Sequence, residues 1–401
     1  MSKLLARAAV ALVSTAVGLA LASWAAQRWL PLPSMMFELD EHLLVRPIPH
    51  ARRVLPLAAG AGGAWIESRF NSLGFRAREP ADPKRSPRVL VLGDSLVMAE
   101  TSPLEQTFAV RLEEHLRTEC GSEVEVVNAG VSGYGTDQEC LLLESLMKPL
   151  APDLVVLVIC AHNDFGDLLR DKLFRLDNSE KLVEQHPGFA PELLEQFALA
   201  RRTDARPALL KAYDRLHIGE GPRPERPGES ETAPYIEWYL RGAQEEYDEF
   251  VTLRNGVFRT PFEDFYDADI SIRPESPSAL FKKLLMEKVL ARMREDCKAA
   301  GIPFFVAVVP TSVDICPTFR IRVDPAKYPT WSPTRLTDTL AGILERIAVP
   351  HLDLTPSFRA AGPEKLYLGR GDFHWNGAGA ELGAAKSAEF LRKNALWPPR
   401  K

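Results

Sequence analysis

The chain has 401 residues, 46% of them hydrophobic and 26% charged, which is enough for one large globular domain with appendages and argues against global disorder. With 49 Lys and Arg against 54 Asp and Glu, a formal charge of -5 and no long basic run, it lacks the marks of a nucleic-acid surface. The five cysteines, at 120, 140, 160, 297 and 316, show no paired metal-ligand spacing, so neither a metal nor a cofactor is expected.

Lys3 and Arg7 precede an apolar stretch from Ala8 to Ala26, close to the ~20 residues a bilayer span needs. Residues 1–30 are therefore expected to direct export. They would do so as an uncleaved signal anchor or, since Ala20-Leu21-Ala22 resembles a signal-peptidase site, as a removable signal peptide. With the basic residues retained inside, everything after about Arg28 would face the periplasm or the exterior, and an odd cysteine count leaves a free thiol there unless chains pair. Residues 31–87 read as an N-terminal extension and linker. Within them Asn71 to Arg76 is turn-like around Gly74, either a hairpin covering a sheet edge or a wall of the functional groove, and Pro80 to Pro87 is a short linker.

Arg88 to Gly93 is a short apolar run ending in Gly, predicting a buried parallel strand that enters a tight turn carrying Ser95. Phe108, Leu112 and Leu116 recur at i, i+4, i+8, so a helix with one buried face is expected over Glu105 to Leu116. A hydroxyl at such a turn lies at the carboxyl end of a sheet, where ligands bind and backbone N–H groups can meet a developing anion. Gly93-Asp94-Ser95 alone is equally a common turn. Val126 to Asn128 is a second strand running into Gly130 and Gly133, whose type permits close approach or positive φ. Thr136 with Glu139 makes a capping-box pattern for a helix through Leu141, Leu142 and Leu146. Leu154 to Ile159 is a third strand, delivering Cys160, His162, Asn163 and Asp164, so three strand ends converge on one edge.

Residues 165–278 interrupt this rhythm and read as a large insertion. Gly219 to Pro234 is expected as a flexible loop. The aromatics from Tyr235 to Tyr266, including Trp238, Tyr239, Phe250, Phe258, Phe262 and Phe265, read as the insertion's own core, or alternatively as a sugar-stacking platform or acyl pocket. The pattern then resumes with a helix from Ala279 to near Gly301 and a strand over Phe304 to Val309. A second helix carries Leu336, Leu340, Ile343, Leu344 and Ile347, and a fifth strand spans His351 to Leu354. This alternation predicts a mainly parallel five-stranded sheet covered by helices. Last, Asp372-Phe373-His374 places a carboxylate and an imidazole two residues apart, on one side of an extended segment. Trp375-Asn376-Gly377 reads as the start of the final helix.

Taken together, Gly93-Asp94-Ser95, Asn128 to Gly133, Asn163-Asp164 and Asp372-Phe373-His374 resemble, in order, the four blocks of the SGNH (GDSL-type) hydrolase superfamily, over most of Arg88 to Leu391. Two positions depart from its pattern: Ala161 stands where Gly is usual, and Asp372 is two rather than three residues before His374. The resemblance implies a three-layer α/β/α sandwich of flavodoxin-like fold over 88–401 and a serine ester hydrolase in an exported or membrane-anchored bacterial-type member. Ser95 would be the nucleophile and His374 the general base. Asp372 would orient the base or, should the short spacing not reach, Asp353. The Ser95 and Gly133 N–H groups and the Asn163 amide would form the oxyanion hole. Asp94 and Asp164 read as hydrogen-bonding braces, His162 as a pocket wall or surface residue, and Cys160 as a small buried apolar group. The expected substrate is an acylated carbohydrate or small ester, with acetyl as the type of acyl group. The alternatives are an O-acetyltransferase of cell-envelope or exported polysaccharide and a non-catalytic carbohydrate-binding or assembly protein. The expected partners are that substrate and, through residues 1–30, a membrane, with no nucleic acid.

Overall fold

Five short segments, three of them almost continuously apolar and fully buried, become the strands of one parallel sheet. They are β1 (Arg88–Gly93), β2 (Glu125–Asn128), β3 (Leu154–Cys160), β4 (Phe304–Val309) and β5 (His351–Asp353). These come from a computed structural model, which describes residues 2–30, 32, 34–56, 65–120, 123–216, 235–252, 256–263, 265–369 and 371–397. The spatial order is β5-β4-β3-β1-β2, with every neighbouring pair parallel. The chain therefore runs outward in one direction from β1 to β2 and in the other from β3 to β5. That reversal opens a crevice at the carboxyl ends of β1 and β3, the place where open α/β sheets hold ligands. Those two strands end at Gly93 and Cys160, immediately before Ser95 and Asn163.

One helical layer pairs Phe108–Cys120 with Gly377–Lys393; the other pairs Thr136–Leu150 with Pro277–Ala299, which also meets Arg335–Arg346. Phe108, Leu112 and Leu116 are all buried, as their spacing requires, although the helix begins at Phe108 after a 3-10 turn over Leu104–Gln106. The capping expectation for the next helix is corrected. Gly135, not Thr136, is the N-cap, and its N–H donates to the Gln138 side chain at 3.1 Å. Glu139 cannot close the box because it is buried beside Asp94, Asp137 and Asp167.

At the N-terminus, the helix Ser2–Trp29 contains a span, Lys3–Arg28, long and apolar enough to cross a membrane. A hairpin of Phe37–Asp40 and Leu44–Pro47 follows. It is pinned to the domain where Tyr134 Oη donates to the Val45 carbonyl and Gln138 Nε2 to the Leu43 carbonyl, both at 2.6 Å. Asn71 Oδ1 accepts from the Leu73 and Phe75 N–H groups, forming the expected turn. The buried Arg76 guanidinium then donates to the carbonyls of Met98 (3.1 Å), Ala99 (2.6 Å) and Ser102 (2.6 Å), bracing the chain that leaves Ser95. Contact with the edge strand β2 falls a little later, where the Ala81 N–H meets Glu125 at 2.6 Å.

The insertion is largely helical rather than irregular, with helices Pro191–Asp204, Ala208–Leu216, Tyr235–Thr252 and Ala268–Ile272. The expected loop over Gly219 to Pro234 lies outside the described residues. Its aromatics divide: Tyr239, Phe250, Phe258 and Tyr266 are buried as core, whereas Trp238 and Phe262 remain 44% and 50% exposed. The insertion is riveted to the domain by Lys282, 1% exposed, whose ammonium lies 3.0 Å from Asp267 and 3.1 Å from Asp269. Removing one partner of such a buried cluster strands the opposite charge. Lys282→Met is expected to lose about 3–5 kcal/mol of stability, read as a lowered urea midpoint; an unchanged midpoint would show that the two carboxylates do not depend on this cation.

Candidate active site

The Ser95 turn is built by capping. β1 ends at Gly93, Asp94 Oδ1 accepts the Leu96 N–H at 2.8 Å, and Ser95 opens the single helical turn Ser95–Met98. Asn128 at the end of β2 ties the neighbouring loop to it, donating to the Val97 carbonyl and accepting from the Gly130 N–H, both at 2.9 Å. A Cβ on Gly130 would fall 2.6 Å from the Met98 nitrogen, so only glycine lets the two loops meet. Gly133 has φ +81°, and a Cβ there would sit 1.9 Å from the Pro261 carbonyl oxygen. The insertion thus lies directly against the Gly block, with the half-exposed Phe262 ring beside it.

Asn163 is the N-cap residue of the helix Asp164–Asp171. Asp164 turns back to accept the Cys160 N–H at 2.7 Å, a brace for the strand end, and Cys160 itself is buried. The Asn163 side-chain amide donates to Asp167 at 2.7 Å. Asp167 is ion-paired with Arg170, which also donates to the Asn163 carbonyl (3.3 Å) and to both Glu246 oxygens (3.1 and 3.2 Å). Asp267 accepts the Phe165 and Gly166 N–H groups at 3.1 and 3.3 Å, closing the N-terminus of the same helix. Glu246 and Asp267 both belong to the insertion. Nothing in the local sequence around Asn163 announces them, because their contribution exists only after the chain has returned from some 80 to 100 residues away.

His374 lies on a small hairpin, Tyr367–Gly369 with Asp372–Trp375, that stands apart from the main sheet. Its Nε2 is 2.6 Å from Ser95 Oγ, and its Nδ1 is 2.6 Å from Asp372 Oδ1. The two-residue spacing reaches because the extended backbone turns both side chains to one side, and Asp372 also accepts the His374 N–H at 2.9 Å. Asp353 is engaged elsewhere, accepting the Thr355 N–H at 2.8 Å. Asn376 caps the last helix, as its position predicted, but Trp375 does something else. Its buried indole donates to the Leu96 carbonyl at 2.9 Å and stacks on Phe108, so the residue after His374 is tied to the residue after Ser95.

His162 is a buried wall rather than a surface residue. Its ring stacks on Phe373 at 4.0 Å, and Phe373 stacks in turn on His374 at 4.5 Å. Burial, together with the nearby cationic forms of His374 and Arg170, pushes the His162 pKa down to about 3, so it stays neutral while its Nδ1 meets Thr311 Oγ1 at 2.7 Å. The side chains of His374 and Asp372 are 26% and 47% exposed, so the site opens to water. With Nδ1–H directed at Asp372, the Nε2 lone pair can accept the Ser95 proton. The arrangement is that of an acid–base-activated hydroxyl. Among the described residues, both side-chain groups that could hold a metal lie outside it.

Residues 276–400 match the family described as the SGNH hydrolase-like domain of the acetyltransferase AlgX. That match covers less than half of the chain and marks an SGNH hydrolase-like segment there. The matched segment contains Asp372 and His374, while Ser95, Gly133 and Asn163 lie upstream of it. Similar solved structures include TesA (12% identity, TM-score 0.37, covering 76% of this chain and 98% of that one). Two others are the psychrotrophic esterase EstA from Pseudoalteromonas sp. (13%, 0.38, 77% and 98%) and the acetyl xylan esterase AlAXEase (13%, 0.35, 77% and 98%). At such TM-scores these likenesses carry no argument, and the fold rests on the strand order itself. Among curated proteins, nothing matches the chain.

Behind this site, Asp137 and Asp171 are buried against each other, and burial holds both carboxyls above their ordinary range. A carboxyl raised by folding keeps its proton after the unfolded chain has lost it, so its contribution to stability disappears as pH rises through the raised pKa. Asp137→Asn fixes the neutral form. Its stability relative to the unaltered protein should grow between about pH 5 and pH 8, followed by urea unfolding; a pH-independent difference would mean that the pair carries no shared proton.

Proposed function

We propose that the chain is a serine esterase that removes acyl groups, such as acetyl, from carbohydrate or small ester substrates through an acyl-Ser95 intermediate. The observation that carries this reading is the continuous chain from Ser95 Oγ through His374 to Asp372, with both links at 2.6 Å. Ser95 Oγ attacks the ester carbonyl carbon as its proton passes to His374 Nε2, and Asp372 stabilises the imidazolium so formed. His374 then gives that proton to the departing alkoxide, leaving the acyl group on Ser95. A water molecule, reaching the solvent-open imidazole, reverses the sequence and releases the acid.

The oxyanion would be met by the Ser95 and Gly133 N–H groups and by Asn163. An amide has two N–H donors, and the Asp167 contact to Nδ2 fixes the plane in which the Asn163 amide is held. Arg170 offsets the Asp167 charge, which would otherwise oppose the oxyanion. The half-exposed Phe262 beside Gly133 offers a flat apolar face, which supports a sugar ring as the alcohol component. The N-terminal helix supports a membrane anchor or an export signal, with the domain on the far side of the membrane.

Acyl transfer to a sugar hydroxyl is the second reading, favoured by the match to the AlgX acetyltransferase domain. In it the acyl-Ser95 intermediate is resolved by the sugar instead of water.

Two experiments on the full chain in detergent test this function. A fluorophosphonate should label the protein, and p-nitrophenyl acetate should be turned over. Ser95→Ala should abolish both, Asp372→Asn should lower kcat by roughly 10⁴-fold, and Asn163→Ala by about 10²- to 10³-fold with unchanged thermal unfolding. Labelling that persists in Ser95→Ala would remove Ser95 as nucleophile, and no labelling at all would favour a binding protein. Supplying an activated acetyl donor with an oligosaccharide acceptor then separates the two reactions: free acetate alone is expected of an esterase, whereas acetylated acceptor would replace hydrolysis by transfer.

A further inference from the structure

His42 lies in the N-terminal hairpin, whereas Glu184 and His186 lie in the insertion, yet one donor atom from each falls within 4.8 Å of the others. We propose that these three side chains bind a divalent transition-metal ion of the zinc class. Two imidazoles and one carboxylate are a recurring three-residue donor set for zinc, with water in the fourth position. Magnesium and calcium prefer all-oxygen shells, so the imidazoles select against them.

The donors are arranged by their backbones before any ion arrives. The His42 and Leu43 N–H groups both donate to Asp40 Oδ1 at 2.9 Å, which fixes the turn between Phe37–Asp40 and Leu44–Pro47. Glu184 ends the strand Leu182–Glu184, and the Gln185 N–H bonds the Leu173 carbonyl at 2.8 Å, so the ladder continues and brings residues 184 and 186 to one side. Glu184 Oε2 is 3.4 Å from Arg292, while Oε1 is 3.9 Å from His186 Nε2. The arginine therefore orients the carboxylate and leaves its other oxygen toward the imidazoles, the work an outer partner does for a metal ligand. The His42 and His186 rings meet edge to face with centroids 5.5 Å apart. Donors about 2 Å from one ion and disposed tetrahedrally lie about 3.3 Å from one another. All three side chains are exposed, so rotation about their own bonds closes the remaining gap.

A second donor group, Cys140 with Glu144 and Asp296, is a poorer site. Burial pushes the Cys140 thiol up, away from the thiolate that a metal needs, and Arg292 already occupies Glu144 at 2.6 Å. An ion at His42 would clasp the hairpin to the insertion. Since that hairpin also receives Tyr134 and Gln138 from just beyond Gly133, the clasp would fasten one flank of the site without touching the reacting groups.

The test uses the full chain in detergent, without a polyhistidine tag and stripped of metal. Calorimetric titration with Zn²⁺ should show one equivalent bound, with a raised unfolding temperature, and Mg²⁺ should show none. His42→Ala and His186→Ala should each weaken Zn²⁺ binding on the order of 100-fold or more and abolish the thermal shift, exceeding the 10- to 100-fold typical of outer-shell changes; His50→Ala should leave both intact. Co²⁺ should give ligand-field absorbance without a thiolate charge-transfer band. Zn²⁺ affinity unchanged in both histidine variants, absence of binding, or a thiolate band pointing to Cys140 would each overturn the proposal.

Discussion

The hydrogen bond between Ser95 and His374 joins positions 279 residues apart, and the proposed chemistry depends on its being present before any substrate arrives. It cannot be what holds the two segments together. A hydrogen bond of this kind contributes on the order of 1 kcal/mol net, whereas truncating a buried Trp costs about 3–5 kcal/mol. The register of the late hairpin is set by Trp375, whose indole fills the space against Phe108 and bonds the Leu96 carbonyl. The Phe373 ring, held between His162 and His374, fixes the imidazole plane from the other side. Packing places the imidazole, and the catalytic-type bonds then form at little further entropic cost.

A comparable division holds at Asn163. Its amide can face a substrate only if the start of its helix is rigid and the Asp167 charge beside it is balanced. Both conditions are met from the insertion, by Asp267 at the helix N-terminus and by Glu246 through Arg170. The insertion is therefore part of the site's support. Pro261 lies on Gly133 of the Gly block, while Asp267 and Glu246 hold the helix that Asn163 caps, through Phe165, Gly166 and Arg170.

What could be read in the sequence was whatever depends on local pattern. The β-branched run Leu154 to Ile159 and the spacing of Phe108, Leu112 and Leu116 reported strand and helix directly, because burial on those elements follows their own periodicity. The first and last blocks contained Ser95, His374 and Asp372, which the fold brings into hydrogen-bond contact. Local pattern could not show that Trp375 reaches Leu96 or that Arg76 clamps the carbonyls after Ser95, since both are long-range contacts from residues that look ordinary in their own segments. It also misjudged Glu139 as a cap. A capping box assumes that the acidic side chain stays at the helix surface, and here packing turns it inward toward three other carboxyls.

That inward cluster sets the electrostatics of the site. Burial, reinforced by Asp94 and Asp167, raises the Glu139 and Asp164 carboxyls well above their ordinary range. Two full negative charges about 4 Å apart repel by about 4 kcal/mol at an effective dielectric of 20, and several together would also oppose any oxyanion forming above them. A raised pKa favours the protonated form, in which both penalties vanish, and Asp164 separately braces the strand end by accepting the Cys160 N–H. The Asp167–Arg170 pair adds a cation against the Asn163 carbonyl. A site that must stabilise a transient anion is thus compatible with an acid-rich floor, because burial disfavours negative charge there.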